Sequence, residues 1–124
     1  MKQILIVGMN PHTIDFSKPG FLPGLTAEKV EAGLKAEREN LKTIGFESDM
    51  YLIDDGVLEL SALEDQLKAK PFDGIMLGAG VRIPPVNFIL FEKLVNAVHD
   101  NAPNAKIIFN TNPRDTAESV RRWL

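Results

Sequence analysis

Asp73-Gly-Ile-Met-Leu-Gly-Ala-Gly-Val-Arg82 is an apolar run that follows Pro71, is broken by two glycines and is succeeded by Pro84-Pro85. It reads as a buried parallel strand, a loop and the entry to a helix. Four consecutive residues without polar alternation suit a strand covered on both faces, as in parallel sheets packed by helices. Gly78 and Gly80 are expected to turn the backbone with positive φ and to bring it close to a neighbour, and the two prolines suit a helix start. A glycine loop that feeds a helix and contains Arg82 is a candidate anion seat.

Outward from this stretch, strand and helix patterns alternate four times. Ile4 to Val7 is a second buried run, ended by Gly8. Residues 9–25 carry Pro11, Pro19, Gly20, Pro23 and Gly24, which break every regular element, and an irregular insertion of that length is usually a lid or a binding loop. The competing reading is a loop packed over the sheet edge by Phe16, Phe21 and Leu22. Thr26 is a good N-cap for a helix with an apolar stripe of Ala27, Val30, Leu34 and Leu41, stopped by Gly45. Phe46 to Ile53 is a strand with a partly covered second face, followed by a turn at Asp54-Asp55-Gly56. Ser61-Ala-Leu-Glu64 matches a capping box for a helix that Pro71 ends.

After the central run, residues 86–98 form a helix with more apolar positions than one core-facing stripe needs, so a second buried surface is expected. Lys106 to Asn110 is the fourth strand. Asn112-Pro113-Arg114-Asp115 reads as N-cap, proline at the first helical position and acid in the first turn of a last helix, with Ala117, Val120, Trp123 and Leu124 facing inward. The 124 residues are therefore expected to form a single α/β domain, a three-layer flavodoxin-like sandwich on a four-stranded parallel sheet of order 2-1-3-4. Ligands of such sheets bind beyond the carboxyl ends of the strands where the order reverses. Residues 9–25, 78–85 and 110–114 meet there.

Composition narrows the function classes. A net charge of −3, with Arg121-Arg122 the only adjacent basic pair, argues against nucleic acid. The absence of cysteine excludes disulfides, thiol catalysis and cysteine-ligated metals, and fits a cytoplasmic protein. The apolar run after Met1-Lys2-Gln3 is too short for a signal peptide or a membrane span. No glycine fingerprint of a dinucleotide fold follows the first strand, no Walker loop or nucleophile elbow occurs, and His12 and His99 lie too far apart for a short metal motif. Neither cofactor nor metal is expected.

The loops at the rim bring together Asn10, His12, Asp15, Gly78, Gly80, Arg82, Asn110, Thr111, Asn112 and Arg114. Two arginines and two helix starts favour a carboxylate or phosphate, oriented by asparagine and threonine. His12 is a candidate general acid or base, against a plain reading as a solvated loop residue. Arg82 is the strongest ligand candidate, its competing reading being an ion pair with Asp15 or Asp55.

Gly8-Met-Asn10-Pro11, Phe16-Ser-Lys-Pro-Gly20 and Asp73-Gly-Ile-Met-Leu-Gly-Ala-Gly80 resemble, in order and spacing, the corresponding segments of the type II dehydroquinases, small α/β enzymes that form dodecamers. The resemblance covers the first two-thirds of the chain and implies a shared architecture. The chemistry departs from it. The family's active-loop tyrosine has no counterpart, since Tyr51 lies on the second strand. Its histidine after the third strand is missing, and Asn110-Thr111 stands where a histidine motif closes the fourth. The expectation is thus a small domain that binds an anionic metabolite at the carboxyl edge, with catalysis left open. The alternative is a non-enzymatic, self-associating module, a homo-oligomer built through helix 86–98 or the fourth strand.

Overall fold

A computed structural model of the chain describes residues 1–55 and 57–124. Strand β1 (Lys2–Met9) is followed by a 3-10 turn (Pro11–Thr13), helix α1 (Ala27–Thr43), β2 (Phe46–Ile53), α2 (Leu60–Ala69), β3 (Gly74–Leu77), a single turn α3 (Ala79–Arg82), a second 3-10 turn (Pro85–Asn87), α4 (Phe88–Asn101), β4 (Lys106–Phe109) and α5 (Thr116–Trp123). The four strands form one all-parallel sheet of order β2-β1-β3-β4. It is the flavodoxin-like three-layer arrangement that the alternating pattern predicts.

Side chains alternate across the pleat, so each buried run feeds two cores. Leu5, Val7, Ile75 and Leu77 pack with Leu63 and Leu67 of α2 and Leu94, Ala97 and Val98 of α4. Ile4, Ile6, Met76 and Ile108 pack on the other face with Leu41 of α1 and Val120 of α5. This double covering is why β1 and β3 carry no polar position between Ile4 and Val7 or between Ile75 and Leu77.

Thr26 caps α1, its hydroxyl accepting from the Lys29 N–H at 3.2 Å, and Gly45 follows the helix with φ 95°. Three other local expectations are corrected. The Ser61 to Glu64 capping box is not used, because α2 begins at Leu60 behind Glu59, two residues ahead of a helix capped by Ser61, and Glu59 makes no side-chain cap. Asn112 and Pro113 do not open α5; they form a separate turn, and the helix starts at Thr116. Trp123 is 55% exposed, since the inward face of α5 is built from Thr116, Ser119 and Val120, with Ala117 and Leu124 at its margin. Of the expected turn beyond β2, Gly56 lies outside the described residues, while the Val57 N–H donates to the Asp54 carbonyl at 2.9 Å. Among the described residues, no helix is long and apolar enough to cross a membrane.

Side chains occupy part of the backbone at each end of the sheet. On β2, the outward carbonyl of Ser48 accepts from Arg38 at 2.8 Å and that of Met50 from Gln66 at 3.3 Å. At the end of β4, Phe109 O accepts from Arg122 at 3.1 Å and Asn110 O from Arg82 at 2.6 Å. Exposed strand edges are templates for unwanted pairing, and occupied carbonyls blunt them.

Candidate functional site: a roofed cavity at the carboxyl edge

The loops expected to converge do so, around a cavity of about 200 Å³. Its floor is the carboxyl end of β1 together with Gly78, Ala79 and Gly80. The Gly78 N–H donates to Val7 O at 2.9 Å, and a Cβ at Gly78 would sit 3.2 Å from that oxygen. Close approach of β3 to β1 is thus what this glycine supplies. The expected positive φ is not adopted: Gly78 has φ −67° and ψ 157°, Gly80 lies inside α3, and among the described residues the positive-φ glycines are Gly20, Gly24 and Gly45. Extended backbone at Gly78 leads straight into the α3 turn, so no left-handed residue is required.

Val30 and Leu34 of α1 and the turn Thr111, Asn112 and Pro113 form its walls, Pro113 lying against α1 at Gly33. Phe16, Phe21, Leu22 and Leu25 supply the roof, with the Phe16 and Phe21 rings edge to face at a centroid separation of 5.2 Å. The sequence stripe of α1 did not by itself separate Leu34 from core. The usable signal was position: Val30 and Leu34 fall in the half of α1 that extends past the strand ends, whereas Leu41 lies over the sheet and is fully buried.

The polar residues of the rim are mostly engaged with the protein itself. Asn110 is 4% exposed; its side-chain oxygen accepts from the Ala79 N–H at 2.7 Å and its amide donates to Thr116 Oγ1 at 3.0 Å. It stitches β4 to α3 and α5 while bordering the cavity. Thr111 and Asn112 direct their backbone N–H groups at the Asp115 carboxylate, at 3.0 and 3.2 Å, and the Thr111 hydroxyl donates to it as well. A helix-entry acid therefore occupies the amides that the sequence offers to a ligand anion, and the Asn112 side-chain oxygen accepts from the Arg114 N–H at 2.7 Å. An acid four residues after a threonine, within a proline turn, was the signal for this arrangement.

Arg82 reaches the rim on the β4 side. Its guanidinium holds Asn110 O and lies 5.6 Å from the centre of the Phe109 ring, while its Nε is buried without a hydrogen-bond partner. It forms no ion pair with Asp15 or Asp55 and does not line the cavity. Arg114 is exposed beside the cavity-lining Pro113, and among the described residues its guanidinium has no hydrogen-bond or ion-pair partner. Asn10 ties the loop to β2, its amide donating to Asp54 at 3.0 Å and its backbone N–H to Ile53 O at 2.7 Å.

His12 is paired with Glu31 on α1, both exposed, in an open groove between α1 and β2 rather than in the cavity. Asp15 accepts the Ser17 hydroxyl at 2.6 Å and the Ser17 N–H at 3.0 Å. These two bonds, aided by the Lys18 charge, hold its carboxyl below the usual aspartate range. Burial, with a smaller contribution from Glu59, pushes the Tyr51 phenol up; its hydroxyl donates to Glu59 O at 3.0 Å. Among the described residues no three His, Asp or Glu side chains cluster as metal ligands.

No ionisable side chain lines the cavity. Its surface is mostly apolar, with polarity from backbone, asparagine and threonine. Compared with models of known protein families and with curated proteins, the chain matches none.

Proposed function

We propose that the protein binds a small molecule with an apolar body and a single carboxylate or phosphate head, the body under the aromatic roof and the head at the mouth beside Arg114. The carrying observation is the cavity beyond the carboxyl ends of β1 and β3, the neighbouring strands at which the strand order reverses. At about 200 Å³ it is smaller than the roughly 300–1,000 Å³ of sites for drug-sized ligands. The body is accordingly of benzoate or hexanoate size. A lining with no ionisable side chain among the described residues supports binding rather than catalysis.

Calorimetric titration of benzoate, hexanoate and phenyl phosphate tests this, with benzamide and hexanamide as uncharged matches. The acids bind; the amides and the Arg114→Ala variant bind about tenfold more weakly, the scale of one charge-assisted contact. Leu34→Trp fills the cavity and abolishes binding. Equal affinity of acids and amides overturns the anionic head, and binding undiminished by Leu34→Trp overturns the site.

A second reading, self-association, has its own observation. Val86, Phe88 and Ile89 are 70%, 67% and 56% exposed at the start of α4. Large contiguous apolar exposure of this kind marks interaction surfaces.

A further inference from the structure

We propose that residues 15–25 are a lid over the cavity, latched where Gly20 rests on the backbone of Ile83 and Pro84 and released as a unit to admit the ligand. The inference rests on the binding reading above and adds how that site opens.

Both ends of the segment are anchored. At the start, Asn10 is bonded to Ile53 and Asp54, and the Asp55 N–H donates to Thr13 Oγ1 at 2.9 Å. At the end, Thr26 caps α1 and Lys29 Nζ donates to Gly24 O at 3.0 Å. Between the anchors the hydrogen bonds stay inside the segment: Lys18 N–H to Asp15 O at 3.3 Å, the two Ser17 bonds to Asp15, and Leu25 N–H to Leu22 O at 3.2 Å. Among the described residues, no hydrogen bond joins residues 15–23 to the sheet, to α3 or to α4. The aromatic and leucine underside is held by apolar contact alone.

The latch is steric. Gly20 has φ 104°, and a Cβ there would lie 2.7 Å from Pro84 Cα and 3.0 Å from Pro84 N. Only a residue without a side chain lets the lid backbone lie flat on Pro84. Gly24, with φ 77° and no atom within 4 Å of where a Cβ would sit, is placed to swing without collision. Among the described residues, opening about Gly24 breaks no hydrogen bond from residues 15–23 to the sheet, to α3 or to α4, which places the segment at the low-stability end of the molecule. Phe16, Phe21, Leu22 and Leu25 line the cavity, so displacing them opens it further to a ligand.

The chain has no cysteine, so a single introduced thiol reports opening without a ligand. Ala79→Cys places one on the cavity floor, and its reaction rate with a water-soluble aromatic disulfide is read in otherwise unchanged protein. Labelling is slow with the latch intact. It accelerates on the order of tenfold when Gly20→Ala is added, because the left-handed φ and the contact with Pro84 both oppose closure. Phe16→Ala, which leaves the backbone unstrained, accelerates it as well, and circular dichroism establishes that each variant is folded. Gly45→Ala, strained at a distant helix end, leaves the rate unchanged. If the thiol reacts at the rate of an unprotected one with the latch intact, or if neither lid substitution changes its rate, the lid is overturned. A lid that opens as described while no acid binds would refute the binding reading alone.

Discussion

Asn110 carries more of the rim than any other single residue. Its buried amide serves the Ala79 N–H and the Thr116 hydroxyl, and its carbonyl holds Arg82. Asn110→Ala leaves the part-buried Ala79 N–H without its acceptor, the costly side of hydrogen-bond loss. The expected destabilisation is about 2–4 kcal/mol in urea unfolding, against less than about 0.5 kcal/mol for the exposed Arg114→Ala. Comparable values for the two would show that the amide is not a structural stitch. The sequence placed Asn110 at the rim through the end of a strand, but an asparagine offers the same atoms to a ligand and to its own backbone. Which partner wins depends on α3 and α5 arriving within reach, a tertiary matter. Asp115 shows the same competition: its carboxylate takes the Thr111 and Asn112 amides, while the exposed Arg114 guanidinium, next in sequence to the cavity-lining Pro113, has no partner among the described residues.

At the scale of elements, caps were legible where one residue type had a single local use. Thr26 and Gly45 bound α1 as their chemistry dictates. Ser61 and Asn112 each had a competitor, Leu60 being drawn into α2 ahead of the serine and Asp115 collecting the turn that Asn112 opens. The excess apolar content of α4 was also readable, and the structure puts it on the outside: Leu94, Ala97 and Val98 are buried while Phe88 and Ile89 are exposed. Arg122 occupies the outward carbonyl of Phe109 at the end of β4, and the exposed helix start is the surface through which association is tested. Burying Phe88 and Ile89 would contribute roughly 1.5–3 kcal/mol each before ordering costs. Sedimentation at high micromolar concentration is therefore expected to find a dimer, and Phe88→Asp with Ile89→Asp to weaken it about a hundredfold or more. A monomeric wild type at that concentration would remove the self-association reading and leave the cavity untouched.

For the whole molecule, the strand order followed from the number of alternations and from the handedness of crossovers, so the sheet and its switch point were visible in the apolar runs alone. The cavity was not, because its shape depends on how far α1 overhangs the sheet and on where a segment with little regular structure comes to rest. The two cores share β1 and β3, with Ile4 and Ile6 facing one and Leu5 and Val7 the other. A strand cannot lose one face and keep its register, so the layers are expected to melt together. Trp123, the only tryptophan, lies on α5 over the face opposite Leu94. Leu94→Ala removes a fully buried side chain and is expected to cost about 2–5 kcal/mol. Although Leu94 and Trp123 are on opposite sides of the sheet, tryptophan fluorescence and far-ultraviolet dichroism should report the same shifted midpoint in urea. If fluorescence kept the wild-type midpoint while dichroism moved, the layers would unfold separately, and the rim could not be treated as one rigid frame for the site.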